Sequence, residues 1–371
     1  MKIAAFNVEN LFDRAKAFNE KATISNPIIT GVSELNNIFE KSNYSDIDKE
    51  NIVQLFKLLG FEKSDIGKYA CIRKIRGKLA KRPKDKPIEI IANGREDWIG
   101  WVELKTEPVN EIAILNTGRV IRDVNADILA VVEAENRILL DMFSHITIKT
   151  VNGSPYSEVM LIDGNDQRGI DVGVMCKNGY KIHSVKSHIY DLDDTGKTIF
   201  SRDCPEYEIF TPNGEKVIVL PNHFKSKYGF NQNASDAKRK TQAARTAEIY
   251  NGLLSDGEKN IIILGDLNDT PDSEPLIPLL ENTNLKDVSE HPSFDPGEYK
   301  GKGTYGLGGD KYKIDYMLVS PILFEKIKSS GLFRKGAWPG KRKPKWEVYE
   351  SIEKEIHVAS DHHVIWADFN I

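Results

Sequence analysis

The stretch NIIILGDLND, residues 260–269, runs four consecutive apolar residues straight into a knot of Gly, Asp, Leu, Asn and Asp. Ile261, Ile262, Ile263 and Leu264 show no apolar/polar alternation, which is the pattern of a strand covered on both faces. Gly265 marks the end of the strand, and Asp266, Asn268 and Asp269 follow. Short Asp and Asn side chains bond nearby backbone groups at strand ends, so an ordinary Asx turn explains the knot as well as a reactive site does. What the other strand ends carry decides between the two.

Outward from this point, segments of the same type recur: KIAAFNV (2–8), DILAVVEA (127–134), EVMLIDG (158–164), IDVGVMCK (170–177), EYEIFTP (206–212), KVIVLPNHF (216–224), KIDYMLVS (313–320) and HVIWADF (363–369). Continuous and alternating runs are mixed. That mixture predicts an α/β layered domain in which two sheets pack together and helices cover their other faces. Helical periodicity marks residues 234–255, with Ser235 or Asp236 as the expected cap, and residues 51–60, closed by Gly60. Residues 14 to 118 or so separate the first strand from DILAVVEA by far more than an ordinary connection. An inserted, partly helical and basic region within a single domain spanning 1–371 is therefore expected.

The formal charge of −4 is small for 371 residues, so the location of charge matters more than its sum. KYACIRKIRGKLAKRPKDK (68–86) sets nine basic residues against the single acid Asp85, and RKGAWPGKRKPKW (334–346) interleaves Trp338 and Trp346 with a second basic run. Solvated surface and phosphate-backbone binding both account for such runs. Cys71, Cys176 and Cys204 are widely spaced with no CxxC pair, which argues against a disulfide framework or a cysteine zinc site and fits a reducing compartment. MKIAAFNVEN reaches Asn7 and Glu9 before any apolar run attains signal-peptide length, and no run approaches the roughly 18 residues of a membrane span. A cytoplasmic chain without a membrane span is expected, and nothing in the sequence indicates a protein partner.

Two local patterns are set aside. DLDDTGKTIFSR (191–202) begins like a calcium loop but has Thr195 at its fifth position and Arg202 where a bidentate glutamate belongs, so a turn between strands is expected. GLGG (306–309) lacks the Lys-Ser/Thr of a phosphate loop and is expected to form a hairpin.

Asn7 follows KIAAF, Glu133 follows DILAVV, His223 follows KVIVLPN, Asp266 and Asn268 follow IIILG, Asp315 opens a strand, and Asp361 and His362 precede the last one. Any one of these has a structural explanation. Together they read as a site built from strand ends at one mouth of a sheet sandwich.

The ordered motifs FNVENLF (6–12), DILAVVEAEN (127–136), RGIDVGVM (168–175), NHFKSK (222–227), GDLND (265–269), IDYMLVS (314–320) and SDHHVI (360–365) make the chain resemble the endonuclease/exonuclease/phosphatase family, which includes DNase I. The resemblance spans the chain end to end apart from the 14–118 region. It implies a four-layer α/β/β/α sandwich of two packed mixed sheets and hydrolysis of a phosphate ester with Mg²⁺, for which Mn²⁺ can substitute. Carried over by motif, Glu133 and Asn7 match the metal site, with Asp361 as a metal-side carboxylate. Asp266 matches the group that orients or deprotonates the attacking water, and Asn268 the amide on the phosphoryl oxygens. His362 matches the histidine at the scissile phosphate, with Asp315 fixing its tautomer, and His223 the donor near the leaving group. Arg168 and Lys225 are expected to grip substrate phosphate, with a surface ion pair as the alternative for Arg168. Val132 departs from the family by standing where many relatives have glutamine, and His363 doubles the usual single histidine.

The expected function is a Mg²⁺-dependent nuclease cleaving phosphodiesters in DNA or RNA by in-line water attack, with nucleic acid as its substrate. One alternative is a phosphatase acting on a small phosphomonoester or an inositol or lipid head group, because substrate choice resides in loops. The other is a catalytically silent binding module, which would be expected to have lost Glu133, Asp266 or His362.

Overall fold

The computed structural model of the chain describes residues 1–9, 16–19, 22–84, 86–106, 110–166, 169–227 and 232–371. The chain opens with β1 (Lys2–Asn7), followed by helices α1 (Ala22–Phe39) and α2 (Asp46–Leu59) and strands β2 (Ala70–Gly77), β3 (Ala80–Lys81), β4 (Glu89–Ile90) and β5 (Trp98–Leu104). Helix α3 (Glu111–Val124) then leads to β6 (Ile128–Ala134), α4 (Arg137–Met142), β7 (Glu158–Ile162), β8 (Asp171–Cys176), β9 (Lys181–Lys186), β10 (Glu206–Phe210) and β11 (Lys216–His223). After α5 (Gln232–Ser255) come β12 (Ile261–Asp266), β13 (Lys286–Asp287), β14 (Phe294–Asp295), β15 (Asp315–Val319), β16 (Ile327–Phe333) and β17 (Val364–Phe369). These elements form two compact units, Met1–Phe12 with Val109–Ile371, and Asp13–Pro108.

In the first unit, a seven-stranded sheet runs β14-β16-β17-β1-β6-β8-β7 and a six-stranded sheet runs β13-β15-β12-β11-β10-β9. Both are mixed: β1 pairs in parallel with β6 and β11 with β12, while β1 with β17 and β12 with β15 are antiparallel. The two-residue period of each strand explains the continuous apolar runs. Ile3 and Ala5 of β1 share one buried cluster with Ile262 and Leu264 of β12 and Met317 and Val319 of β15, forming the layer between the sheets. Ala4 and Phe6 face the other way, onto Val120, Ile121 and Val124 of α3. Ile261 and Ile263 likewise meet Ala243, Ala247 and Tyr250 of α5. Helix, sheet, sheet and helix thus stack in order, the α/β/β/α arrangement expected of the chain.

The second unit packs α1, α2 and the β2/β5 ribbon around its own core, in which Phe39, Phe56, Phe61 and Trp98 are buried. Helix α2 begins earlier than expected, because Ser45 and Asp48 form a reciprocal capping box, and Gly60 at φ 75° ends it. The basic run 68–86 supplies strands β2 and β3.

Several local expectations are corrected. Helix α5 includes Gln232, so Ser235 and Asp236 lie inside it; Ser235 is buried and Asp236 accepts hydrogen bonds from Gln232 and Arg239. The glycines at 306–309 do not join two strands. Tyr305 instead bridges His362, and the Gly306 N–H bonds the Asp361 carbonyl at 2.8 Å. Of the second basic run, Trp346 is buried with its indole N–H on the Ala337 carbonyl at 3.1 Å, and Trp338 packs on the α3 side of the sheet. Those rings are core, not stacking platforms. Among the described residues no helix is long and apolar enough to cross a membrane.

Candidate active site

The period that points Ile262 and Leu264 into the inter-sheet layer also carries Asp266 there, at the open end of β12. Gly265 allows the strands to close on this point: a Cβ there would lie 2.2 Å from the Asn222 carbonyl oxygen, and its φ is 125°. Register sets His223 of β11 opposite Asp266, and Asp266 opposite Asp315 of β15, so three neighbouring strands end in one polar row. From the other sheet β1 delivers Asn7 and β6 delivers Glu133. Glu133 occupies a bulge, where the β6/β8 register shifts between Val132 and Ala134, and its φ is 66°. A bulge re-aims a side chain beside a site.

These groups converge. His362 Nδ1 lies 2.9 Å from Asp315 Oδ2, and its Nε2 is 3.5 Å from Asn7 Nδ2 and 4.0 Å from Asp266 Oδ2. Asn7 Nδ2 donates to Asp266 Oδ2 at 3.3 Å, while the Asn268 backbone N–H donates to the other oxygen, Oδ1, at 2.8 Å. His223 Nε2 stands 3.7 Å from both Glu133 Oε1 and Asp266 Oδ2. Asp361 is at the rim, its Oδ1 3.8 Å from His362 Nε2 and its backbone N–H on Glu9 Oε2 at 3.2 Å. The side chain of Asn268 donates to the Phe224 carbonyl at 3.2 Å, tying the Asp266 loop to the segment after His223. Lys225 follows in that segment, and Arg168 lies outside the described residues.

The neighbouring histidines separate cleanly. His363 turns away from Asp315, edge-on to Trp346 at 5.0 Å between ring centroids, with Nε2 3.2 Å from the Gly306 carbonyl. Burial and the nearby Arg334 guanidinium push its pKa well below the ordinary histidine value, which keeps it neutral. For His362, burial also disfavours the charge, but Asp315, Asp361 and Asp266 outweigh it and raise the pKa well above that value. Asp266 is pushed up to about 7, first by burial and then by the negative charge of Asp315; Glu133 adds to this and His362 opposes it.

That mutual repulsion bears on a metal. Asn7, Glu133, Asp266 and Asp361 offer hard oxygen atoms, and the carboxylates crowd without enough positive charge to balance them, a donor set that fits a divalent cation. Asp266, Asp315 and His362 also bring one ligand atom each within 4.8 Å of one another. Asp315 and His362 are already bonded to each other through Nδ1, which leaves the Asn7 and Glu133 side as the better oxygen-rich seat.

A supporting frame escaped the sequence reading. Buried Arg239 on α5 donates from Nε to Asp269 Oδ2 at 2.8 Å, from Nη1 to the Lys225 carbonyl at 2.8 Å, and also to Asp236. Gln242, one turn on, accepts the Lys225 N–H at 2.8 Å. Arg202 donates to the Phe224 carbonyl at 2.6 Å. On the other side, Thr304 Oγ1 accepts the Asp315 N–H at 2.9 Å, and Ser360 Oγ accepts the His362 N–H at 2.9 Å while donating to the Asn7 carbonyl at 2.7 Å. In sequence Arg239, Gln242, Arg202 and Thr304 are ordinary polar residues outside the family motifs, and Ser360 is the unassigned first residue of SDHHVI. An Arg and Gln three apart on a helix that follows NHFKSK was the one available clue.

The sequence profile of the Endonuclease/Exonuclease/phosphatase family matches residues 81–336. Comparison with curated protein sequences gave no match. Among solved structures, the endonuclease/exonuclease/phosphatase from Bacteroides vulgatus superposes with a TM-score of 0.50 at 16% identity, covering 70% of this chain and 91% of that one. Truncated Caenorhabditis elegans TDP2 gives 0.47 at 16% identity, covering 70% of this chain and 90% of that one. The Bacteroides thetaiotaomicron mannosyl-6-phosphatase gives 0.48 at 14% identity, covering 70% and 91%. At 16% identity the likeness to the Bacteroides vulgatus protein is one of fold: mixed sheets packed face to face in the DNase I-like manner.

Proposed function

Because the chain belongs to the endonuclease/exonuclease/phosphatase family, whose members are phosphoester hydrolases, we propose that it is a divalent-metal-dependent phosphodiesterase acting on nucleic acid. One observation carries the reading: the Asp315–His362 pair meets Asp266 at the mouth where Asn7 and Glu133 of the opposite sheet also end.

Asn7 and Glu133, with Asp361 at the rim, would hold a Mg²⁺ or Mn²⁺ ion, which neutralises phosphate charge and polarises the phosphoryl oxygen. Asp266 takes a proton from the attacking water. Its pKa of about 7 suits a general base working near neutrality, and the donors Asn7 Nδ2 and Asn268 N–H fix the orientation of its carboxylate. His362 gives Nδ1–H to Asp315 and presents its other nitrogen, Nε2, as a donor to a non-bridging oxygen as charge accumulates there. As the P–O bond to the leaving group breaks, His223 supplies the proton that oxygen needs. Asn268 keeps one amide hydrogen for the phosphoryl group after its bond to Phe224, and Lys225 and Arg168 serve phosphate charge. The product is a 5′-phosphate end.

The exposed basic run at 68–81 supports a polynucleotide over a small monoester. The test is a panel of plasmid, single-stranded DNA, RNA and phosphomonoesters with Mg²⁺, Mn²⁺ or chelator. Chelator-sensitive cleavage of a polynucleotide is expected. Release of phosphate from monoesters with no polynucleotide cleaved would overturn the reading.

A further inference from the structure

In the second unit β2 and β5 form a two-stranded antiparallel ribbon. Directly opposed residues share a face, and Ala70 and Ile72 with Val102 and Leu104 turn one face into the core of the unit. The other face carries Arg73 opposite Trp101. Strict alternation would next bring Ile75 and then Gly77 to that face. Between Lys74 and Arg76, however, the register slips by one residue, and this bulge places Arg76 opposite Ile99, on the same face as Arg73 and Trp101. Trp101 is 45% exposed and Ile75 in the bulge 68% exposed. Lys74, Arg76, Lys78 and Lys81 are exposed too, while Arg73 pairs with Glu103 and Arg82 with Asp65. The two strands carry Arg73, Lys74 and Arg76 against Glu103, and further lysines and arginines follow β2 in residues 78–86, so in a chain of net charge −4 the ribbon and its flank are positive.

Lysines on a strand edge often serve only to prevent edge-to-edge pairing. That device does not leave a tryptophan and an isoleucine in water among the charges. Alternating cations and an exposed indole are what a single-stranded polynucleotide requires: cations follow the phosphates, and the ring accepts a base. We propose that the β2/β5 ribbon, through Arg73, Arg76 and Trp101 on its outer face and the exposed Lys74 and Lys78 adjoining them in sequence, is a binding surface for single-stranded nucleic acid. The proposal rests on the reading of the chain as a nuclease and names how it holds its substrate.

The test measures anisotropy of fluorescein-labelled oligothymidylate against the full chain carrying Asp266→Asn, at several salt concentrations. Replacing Arg73, Lys74, Arg76 and Lys78 with Gln is expected to reduce the slope of log affinity against log salt by about 2 to 3, at roughly 0.7 per phosphate contact on a single strand. Trp101→Ala is expected to weaken binding about tenfold, and Trp101→Phe to restore most of it. Arg73→Lys with Arg76→Lys keeps the charge and should keep the slope, which guards against a folding artefact. In the Asp266 background-free chain, the fourfold variant should hydrolyse bis(p-nitrophenyl) phosphate at the parent rate. An unaltered slope in the folded fourfold variant overturns the ribbon while leaving the nuclease reading intact. Equal losses on heparin with no effect of Trp101→Ala also overturn it, since any polyanion would then do. A parent that hydrolyses the small diester but has no affinity for oligothymidylate, duplex DNA or RNA overturns both.

Discussion

Replacing Arg239 with Met should separate what the frame holds from what the reacting groups do. The guanidinium is fully buried and bonds Asp269, the Lys225 carbonyl and Asp236. Breaking a buried ion pair by removing one partner costs about 3–5 kcal/mol, because the remaining charge is left uncompensated. Asp269 keeps Lys227 and the Thr270 N–H, so the lower end, about 3 kcal/mol, is the better figure. For a unit of this size that is a fall in Tm of roughly 5 °C. The larger effect should be on turnover. Arg239 joins the segment after His223 to the one after Asp266, and a displacement of about 1 Å in such groups can reduce rate a hundredfold. Hydrolysis of bis(p-nitrophenyl) phosphate well below the transition should therefore lose about ten- to a hundredfold in kcat. Arg239→Lys should recover part of the Tm but little of the rate, since an ammonium cannot reproduce the fork. A Met variant that melts lower yet turns over at the parent rate would show that Arg239 stabilises the fold without positioning the site.

His362→Ala and Asp266→Asn should each reduce turnover by about 10² to 10⁴-fold in protein that remains folded by circular dichroism, with Asp315→Asn milder but of the same kind; near-parent rates in His362→Ala would sink the assignment. Glu133→Gln should raise the Mg²⁺ concentration needed for half-maximal rate much more than it raises KM, and an unchanged metal midpoint would place the ion elsewhere. Burial lowers the pKa of His188, but hydrogen-bonding distances of 2.7 Å to Glu206 and 2.9 Å to Asp191 more than reverse this and raise it. A raised folded pKa gives stability that is complete below the unfolded value near 6.5 and is lost as pH climbs through the folded one, so Tm should decline over that window and His188→Gln should flatten the decline. A parallel decline in the variant would refute the linkage.

The long strands were legible because burial on both faces writes itself as an unbroken apolar run, as in Ile261 to Leu264. Edge strand β9, KIHSVK, was not, since it sits at the border of its sheet with most of its side chains exposed. Strand β16 hid behind Ser329, Ser330 and Gly331, which have little strand propensity but are held between β14 and β17. Helix α1 escaped notice because Thr, Ser, Asn and an internal Pro27 dilute its pattern; the contacts of Leu35 and Phe39 with the core of the second unit override them. Within the site, Asp266, Asp315, His223 and Glu133 could be picked out because each borders an apolar run, Asp315 at its start and the others at its end. Arg239, Ser360 and Thr304 could not, because their meaning lies in partners distant in sequence.

Three residues at the mouth, Glu9, Glu133 and Asn268, have left-handed backbones with φ of 53°, 66° and 55°. A side chain there carries a penalty of about 1 kcal/mol or more, which glycine would escape. Thermal hardiness and chemistry therefore pull these positions in opposite directions. A population of variants enriched only for surviving heat should drift toward glycine at 9 and 133, shedding the carboxylates as it becomes sturdier. The positions where hardier descendants fall silent would then trace the outline of the site in negative, without any substrate being known.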